Sequence, residues 1–359
     1  MRGCSDAGSA RLDATTKHPK HQPAGPSLSA ADPKGPGLAP HLAGFCAATL
    51  LPCLAGLLRL ARPAIFAIGE PMIYNSSAEW RSAAHRRVAL FGMSGLGKTR
   101  IAAMLRDQAE WFHYSVDFRI GTRYMGEHIV DNFKREAMRN PFLRELLRSD
   151  SIYIASNITF NNLTPLSTYL GKPGNPDKGG IPFDDYLLRQ RQHRAAEIAA
   201  TRDALLFIRK AERIYGYDHF VCDTSGSLCE VVDPSDPKDP VLEDLVSATL
   251  PVWIRGTEEH LTDLASRFDR APKPMYYPED FLVQLWSSYR AELGQAEEAV
   301  DPDAFIRHGF KALMAHRLPR YAAIAEGWGV TVEAAEAAAV RDPQDFDGLI
   351  GAAMDRRRG

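Results

Sequence analysis

"FGMSGLGKTR", Phe91 to Arg100, is the stretch whose reading decides the fold. Gly92, Gly95 and Gly97 crowd round Lys98, and Thr99 adds a hydroxyl directly after it. The spacing is G-x-x-x-x-G-K-T. It suits a loop whose backbone N–H groups close round phosphates, with the lysine neutralising the outer ones and the hydroxyl ligating Mg2+. Such a loop needs a strand before it and a helix after it, because the helix N-terminus adds its partial positive charge to the cradle. Gly92, Ser94, Gly95, Gly97, Lys98, Thr99 and Arg100 are the expected nucleotide-binding residues.

Both flanking elements are legible. "RRVALFG" is a short apolar strand ending in glycine, and Ile101, Met104, Leu105 and Phe112 share one face of a helix expected over 99–112. "WFHYSVDF" reads as a second strand with Asp117 near its end. A polar helix is expected over 126–148, then the mixed stretch "SIYIASNITF", a short helix within "LTPLSTYLG", and a long helix from Asp184 to about Ile214. "GKPGNPDKGG", Gly171 to Gly180, has the composition of a mobile surface loop. "DHFVCD" and "ATLPVWIRG" supply two more apolar strands. Strands alternating with helices imply right-handed crossovers. The expected fold is therefore α/β: a three-layer arrangement on a mostly parallel sheet, with a long helical insert (126–190) and a helical C-terminal region (278–359).

Composition sets the frame around this core. The chain has 359 residues, 45% hydrophobic and 25% charged, with a net charge of −2. That balance carries no global basic field, so no nucleic-acid partner is expected and a phosphate-bearing small molecule is the favoured anion. The five cysteines are scattered without C-x-x-C spacing, which reads as a reducing, cytoplasmic protein with Cys222 as a small buried residue. Residues 1–71 stand apart. Their first forty are rich in Gly, Pro, Ala and Ser, and "LAGFCAATLLPCLAGLL", Leu42 to Leu58, is apolar but short and interrupted by Pro52. This segment is expected to lie outside the core, as an extension or as upstream sequence joined to a protein starting near Met72, rather than to anchor it in a membrane. The core domain is then expected over 72–277.

The metal needs a carboxylate besides Thr99, and Asp223, which ends the apolar strand "HFVCD", has the form of that ligand. "TSGS", Thr224 to Ser227, follows as a small-residue turn at the C-terminal edge, where α/β sheets bind ligands. Glu230, beyond the turn, is a further carboxylate that could polarise a water. Plainer readings exist for several charged residues: Arg194 lies in the charged run "RQRQHRAAE", and Arg267 and Arg270 could pair with Asp263 and Asp269 on the surface.

Taken in order, the glycine-rich loop, Asp117, Arg194, "DTSGS" and a strand followed by an arginine-rich lid resemble shikimate kinase and its nucleoside monophosphate kinase relatives, over roughly residues 87–275. The resemblance implies that Asp117, in "YSVDFRIG", holds the acceptor hydroxyl. It matches Arg194 and Glu197 in "HRAAE" to an Arg-x-x-Glu element that grips an acidic substrate, and Ser225, Gly226 and Ser227 to a substrate-contacting glycine triplet. It further implies that Arg267, Arg270 and Lys273, within a lid over 267–275, close over ATP.

The function expected from these residues is an ATP- and Mg2+-dependent phosphotransferase that moves the γ-phosphoryl group onto a hydroxyl of a small metabolite. Lys98, Arg267 and Arg270 would supply charge, Asp117 would orient or deprotonate the acceptor, and residues 126–190 would shape its pocket. The alternative is a nucleotide-switched regulatory ATPase, in which the insert and the C-terminal region contact a protein partner and Asp223 is the main metal ligand.

Overall fold

The computed structural model describes residues 74–358; the expectations for residues 1–71 lie outside them. Five strands form one sheet: β1 (Arg87–Phe91), β2 (Trp111–Ser115), β3 (His219–Asp223), β4 (Leu250–Arg255) and β5 (Val330–Glu333). Their order is β2-β3-β1-β4-β5, and every neighbouring pair is parallel. Strands β1, β3 and β4 are nearly continuous runs of buried residues, as a parallel sheet covered on both faces requires.

The strand order also sorts the helices. A right-handed crossover from β1 outward to β2 puts its helix, Lys98–Gln108, on one face. Crossovers in the opposite direction, β2 to β3 through Phe183–Tyr215, β3 to β4 through Pro240–Val246, and β4 to β5 through Pro302–Trp328, put theirs on the other. The contacts agree with this layering. Lys98–Gln108 packs with Pro343–Arg358, while Phe183–Tyr215 packs on Pro240–Val246. Trp80, Trp111 and Phe346 meet at ring-centroid distances of 5.7–6.4 Å and fill the first layer. A smaller apolar cluster gathers Tyr186, Tyr277, Leu282, Trp286 and Phe305.

Several expectations need correction. The helix after β1 ends at Gln108, so Phe112 belongs to β2 and stacks on Phe220. The polar helix expected over 126–148 is two helices, Gly126–Ala137 and Pro141–Arg148. The pre-proline residue Asn140 breaks the run and caps the second helix with its side chain. The loop Gly171 to Gly180 is not loose: Asn175 N–H donates to the Val300 carbonyl at 2.8 Å, and Lys178 pairs with Asp301 at 2.8 Å. The region 278–359 is not a purely helical appendage, since β5 comes from it and completes the sheet beside β4. Among the described residues no helix is long and apolar enough to cross a membrane.

Candidate functional site

Because all five strands are parallel, their C-terminal ends share one edge, and the residues that follow β1, β2 and β3 meet there. After β1, Gly92, Gly95 and Gly97 all adopt positive φ, at 130°, 88° and 102°. A Cβ on Gly92 would also lie 2.7 Å from the Ile254 carbonyl oxygen, so only glycine fits there. Gly97 starts the following helix without a side-chain cap, leaving the first N–H groups of Lys98–Gln108 for an outside acceptor. Lys98 folds back over the loop and donates to the carbonyls of Gly92 at 2.8 Å and Met93 at 3.1 Å. It is buried, and desolvation pushes its ammonium below the usual lysine range against the opposing pull of Asp223 and Asp117.

Thr99 Oγ1 donates to Asp223 Oδ2 at 2.6 Å, joining the loop to the end of β3. Hydroxyl and carboxylate are hard oxygen donors of the kind Mg2+ takes. Among the described residues no group of three or more His, Cys, Asp or Glu side chains could hold a metal by itself. A Mg2+ at this pair would complete its shell from phosphate and water oxygens, as Mg2+ in nucleotide sites does. His113 on β2 lies behind the pair, with Nε2 3.7 Å from Asp223 Oδ2 and neither ring nitrogen hydrogen-bonded.

Asp117 sits two residues past β2, in the single helical turn Val116–Arg119, rather than in the strand. Burial and the charge of Asp223 raise its pKa, while a hydrogen bond from Ser225 and the charge of Lys98 lower it. The turn after β3 closes against the loop: a Cβ on Gly226 would lie 2.4 Å from Ser94 Oγ. The Gly226 carbonyl accepts from Arg317 Nη1 at 3.2 Å and from the Tyr321 hydroxyl, which pins the turn from the helix Pro302–Trp328.

Ser94 of the loop, Asp117 and the turn after β3 line one cavity of about 500 Å3, whereas Gly92, Gly95, Gly97, Lys98, Thr99 and Asp223 do not reach it. Ser94, Asp117 and the turn Ser225-Gly226-Ser227 form its polar end, and Arg267 and Lys273 stand on its rim. Leu163, Leu166 and Leu170, from the insert expected to shape a pocket, face it with Phe268 and Phe310. Arg267 is exposed and paired with Asp263 at 3.0 Å, while its helix leans on the loop so that Leu264 would be 3.1 Å from a Cβ at Gly95.

Other expected residues lie elsewhere. Arg194 is exposed and does not line the cavity; the helical period turns His193 and Glu197 inward instead. Arg270 is also exposed and outside the lining. The Arg100 guanidinium is turned away from the loop, hydrogen-bonded to the Val340 carbonyl at 2.9 Å and to that of Ala337. Glu230 is enclosed by two arginines and a histidine, with Arg317 Nε at 3.0 Å, His316 Nδ1 at 3.2 Å and Arg320 Nε at 3.7 Å, so it is the buried counter-ion of Arg317.

Sequence reasoning did not place His193, Tyr276 or Arg317 at the site, yet all three line the cavity. The signal for Arg317 was present: it falls on the apolar stripe of its helix with Phe310, Leu313, Tyr321 and Ile324. A cation on such a stripe demands a buried acceptor, here Glu230. No family model, no curated protein and no solved structure matches this chain.

Proposed function

We propose that this protein is a P-loop phosphotransferase that binds ATP with Mg2+ and transfers the γ-phosphoryl group to a hydroxyl of a small acceptor. The observation that carries the reading is the meeting, at one edge of the sheet, of a glycine-rich loop joined to Asp223 through Thr99 with a cavity lined by Ser94 of that loop, Asp117, Arg267 and Lys273. ATP with Mg2+ supplies the activated phosphoryl group. The chain's own part is placement and charge. The N–H groups that open the helix Lys98–Gln108 have no side-chain cap and are open to phosphate, and Lys98 exchanges the Gly92 and Met93 carbonyls for phosphate oxygens. Thr99 and Asp223 are the residues that would hold the metal. Asp117 holds the acceptor hydroxyl in line and takes its proton. Arg267 releases Asp263 to meet charge developing at the rim.

The apolar wall of Leu163, Leu166, Leu170, Phe268 and Phe310 supports an acceptor pocket rather than an open water channel, which favours transfer over simple hydrolysis. A cytoplasmic setting suits the two buried free thiols, Cys222 and Cys229. The test is ADP release from MgATP with and without a panel of small hydroxylated metabolites, with Lys98→Ala as control. Stimulation by at least one acceptor, lost in Lys98→Ala, supports transfer. Turnover indifferent to every acceptor returns the regulatory ATPase to first place, and unchanged ATP binding by Lys98→Ala removes the phosphate loop itself.

A further inference from the structure

The cavity beside the glycine-rich loop is rich in hydrocarbon and poor in free polar groups, and that imbalance constrains what it can hold. Of the loop only Ser94 reaches it, so the space lies beyond the outer end of the proposed phosphate site. At about 500 Å3 it is large enough to enclose a whole small ligand.

Hydrocarbon forms the body of the cavity. Leu163, Leu166 and Leu170 recur at helical spacing along the helix Thr164–Leu170 and its N-cap, so they present one continuous face. Phe268 and Phe310, from the helices Glu258–Arg270 and Pro302–Trp328, stack with ring centroids 3.9 Å apart and extend the apolar lining.

The polar groups are few and mostly engaged. Ser225 and Ser227 are bonded to each other at 2.9 Å, and Ser227 donates to Glu197 at 2.6 Å. Arg317 commits Nε to Glu230 at 3.0 Å, Nη1 to the Gly226 carbonyl at 3.2 Å and Nη2 to that of Tyr276 at 2.9 Å, so it offers no free fork to an acid. Arg267 and Lys273 are exposed at the rim, and Arg194 lies outside the lining. The groups left over are neutral: Ser167, His193, and Tyr276, whose hydroxyl has no partner. His193 stacks on Tyr276 at 5.0 Å and turns Nδ1 to Glu197, 3.6 Å away on the long helix Phe183–Tyr215, which leaves Nε2 for a ligand. Burial, and then the charge of Arg317, lowers the His193 pKa to about 4, so the ring is uncharged at neutral pH.

Three classes of acceptor fare differently against this lining. A carboxylate among the leucines would be a buried charge with no cation to meet it. A sugar would bring several hydroxyls that the lining cannot answer, and each one left unpaired weakens binding. A hydrocarbon body gains from every carbon it sets against the leucines and phenylalanines.

We infer that the acceptor is an uncharged alcohol with a hydrocarbon body, seated with its hydroxyl at Asp117 and its body against the leucine face and the Phe268–Phe310 pair. This rests on the phosphotransferase reading and names the substrate class for it. The alcohol oxygen bonds to the γ-phosphorus as the bond from that phosphorus to the β–γ bridging oxygen breaks. The electron pair of the broken bond leaves with ADP, and the alcohol's proton passes to Asp117.

The experiment measures ADP release from MgATP with butanol, hexanol and octanol as acceptors, set against lactate and glucose. KM should fall about fourfold for each CH2 added, the equivalent of burying one methylene, while kcat stays level. Lactate and glucose should not stimulate. Leu163 packs into neither apolar cluster among the described residues, so Leu163→Asp should keep the wild-type Tm yet raise the KM for octanol roughly tenfold. A KM indifferent to chain length, or preference for lactate or glucose, overturns the inference and leaves the phosphotransferase reading intact. Turnover that answers to no acceptor removes that reading, and calorimetric titration of the same alcohols into the protein then decides the site. Affinity that rises along the series and is weakened in Leu163→Asp keeps an apolar-alcohol site, whereas no binding, or displacement of octanol by adenosine, overturns it.

Discussion

Thr99 and Asp223 share a 2.6 Å hydrogen bond that ties the start of the helix after β1 to the end of β3. They are 124 residues apart in sequence and adjacent only because β1 and β3 pair in register, Leu90 opposite Asp223. Asp117, by contrast, enters the site from the β2 side and faces the cavity.

The two carboxylates should therefore fail differently. Asp223→Asn keeps the shape but removes the one carboxylate charge of the pair that would hold Mg2+, so nucleotide affinity in Mg2+ should weaken together with turnover. Asp117→Asn should leave ATP binding unchanged and cut acceptor-dependent transfer by ~10²–10⁴-fold, the usual cost of losing a positioned base. Calorimetric binding of MgATP alongside transfer rates separates the two. Full activity in Asp117→Asn would end its role as base.

Gly226 offers a steric test of the contact between turn and loop. Gly226→Ala places a methyl 2.4 Å from Ser94 Oγ and 3.3 Å from Ser94 N, forcing the loop to shift. Overpacking of this kind costs about 1–3 kcal/mol, and the expected readout is weakened ATP binding with a lowered Tm. Removing the hydroxyl with Ser94→Ala in the same chain should restore part of both. A double variant no better than the single one would show that the loop does not answer to this contact.

Arg317 and Glu230 form a buried pair whose members are unequal. Arg317→Met leaves Glu230 with His316 and Arg320 alone, at 3.2 and 3.7 Å. The expected loss in urea denaturation is about 3 kcal/mol, the lower end for breaking a buried pair, because the Arg320 cation remains beside it. Glu230→Met added to Arg317→Met should recover much of it, since the uncompensated charge is gone.

Stability should depend on pH through the same buried helix. The folded state raises the Glu197 pKa from 4.5 to about 8, so its contribution is complete below 4.5 and is lost as pH rises to 8. His193 has its pKa lowered from 6.5 to about 4, so its contribution is complete above 6.5 and is lost as pH falls to 4. Below 6.5 the two trends oppose each other; between 6.5 and 8 only that of Glu197 remains. Wild type should lose roughly 2 kcal/mol over that interval in chemical denaturation, and Glu197→Gln should not. Equal slopes for the two proteins would show that Glu197 ionises freely in the fold.

What could be read from the sequence was local. The strands β1, β3 and β4 are short buried runs bounded by turn residues, and the long helix has a sustained period, so each announces itself without its neighbours. β5 escaped notice because "VTVE" has four residues and alternating burial inside an alanine-rich helical region. The loop residues Gly92, Gly97 and Lys98 were legible because their spacing is set by backbone geometry. Arg194 was misplaced for the opposite reason: matching an Arg-x-x-Glu spacing says nothing about which way the helix is turned, and burial turned Glu197 inward. Arg317 was marked by its place on an apolar stripe but its partners were not, and Tyr276 reaches the cavity through long-range packing, which no local pattern encodes.

The position of β5 bears on how the protein comes into being on the ribosome. The glycine-rich loop, Asp117 and the Ser225–Ser227 turn have all emerged by the time β4 is made, but the guanidinium that fastens Gly226 comes from Arg317, and the edge of the sheet is closed by Val330–Glu333. A nascent chain halted near Gly256 would carry the whole glycine-rich loop with the Ser225–Ser227 turn unfastened and β4 left as an open edge. The fastening of the turn and the closing of the sheet edge would then arrive late and together, with the delivery of the helix Pro302–Trp328 and the last strand.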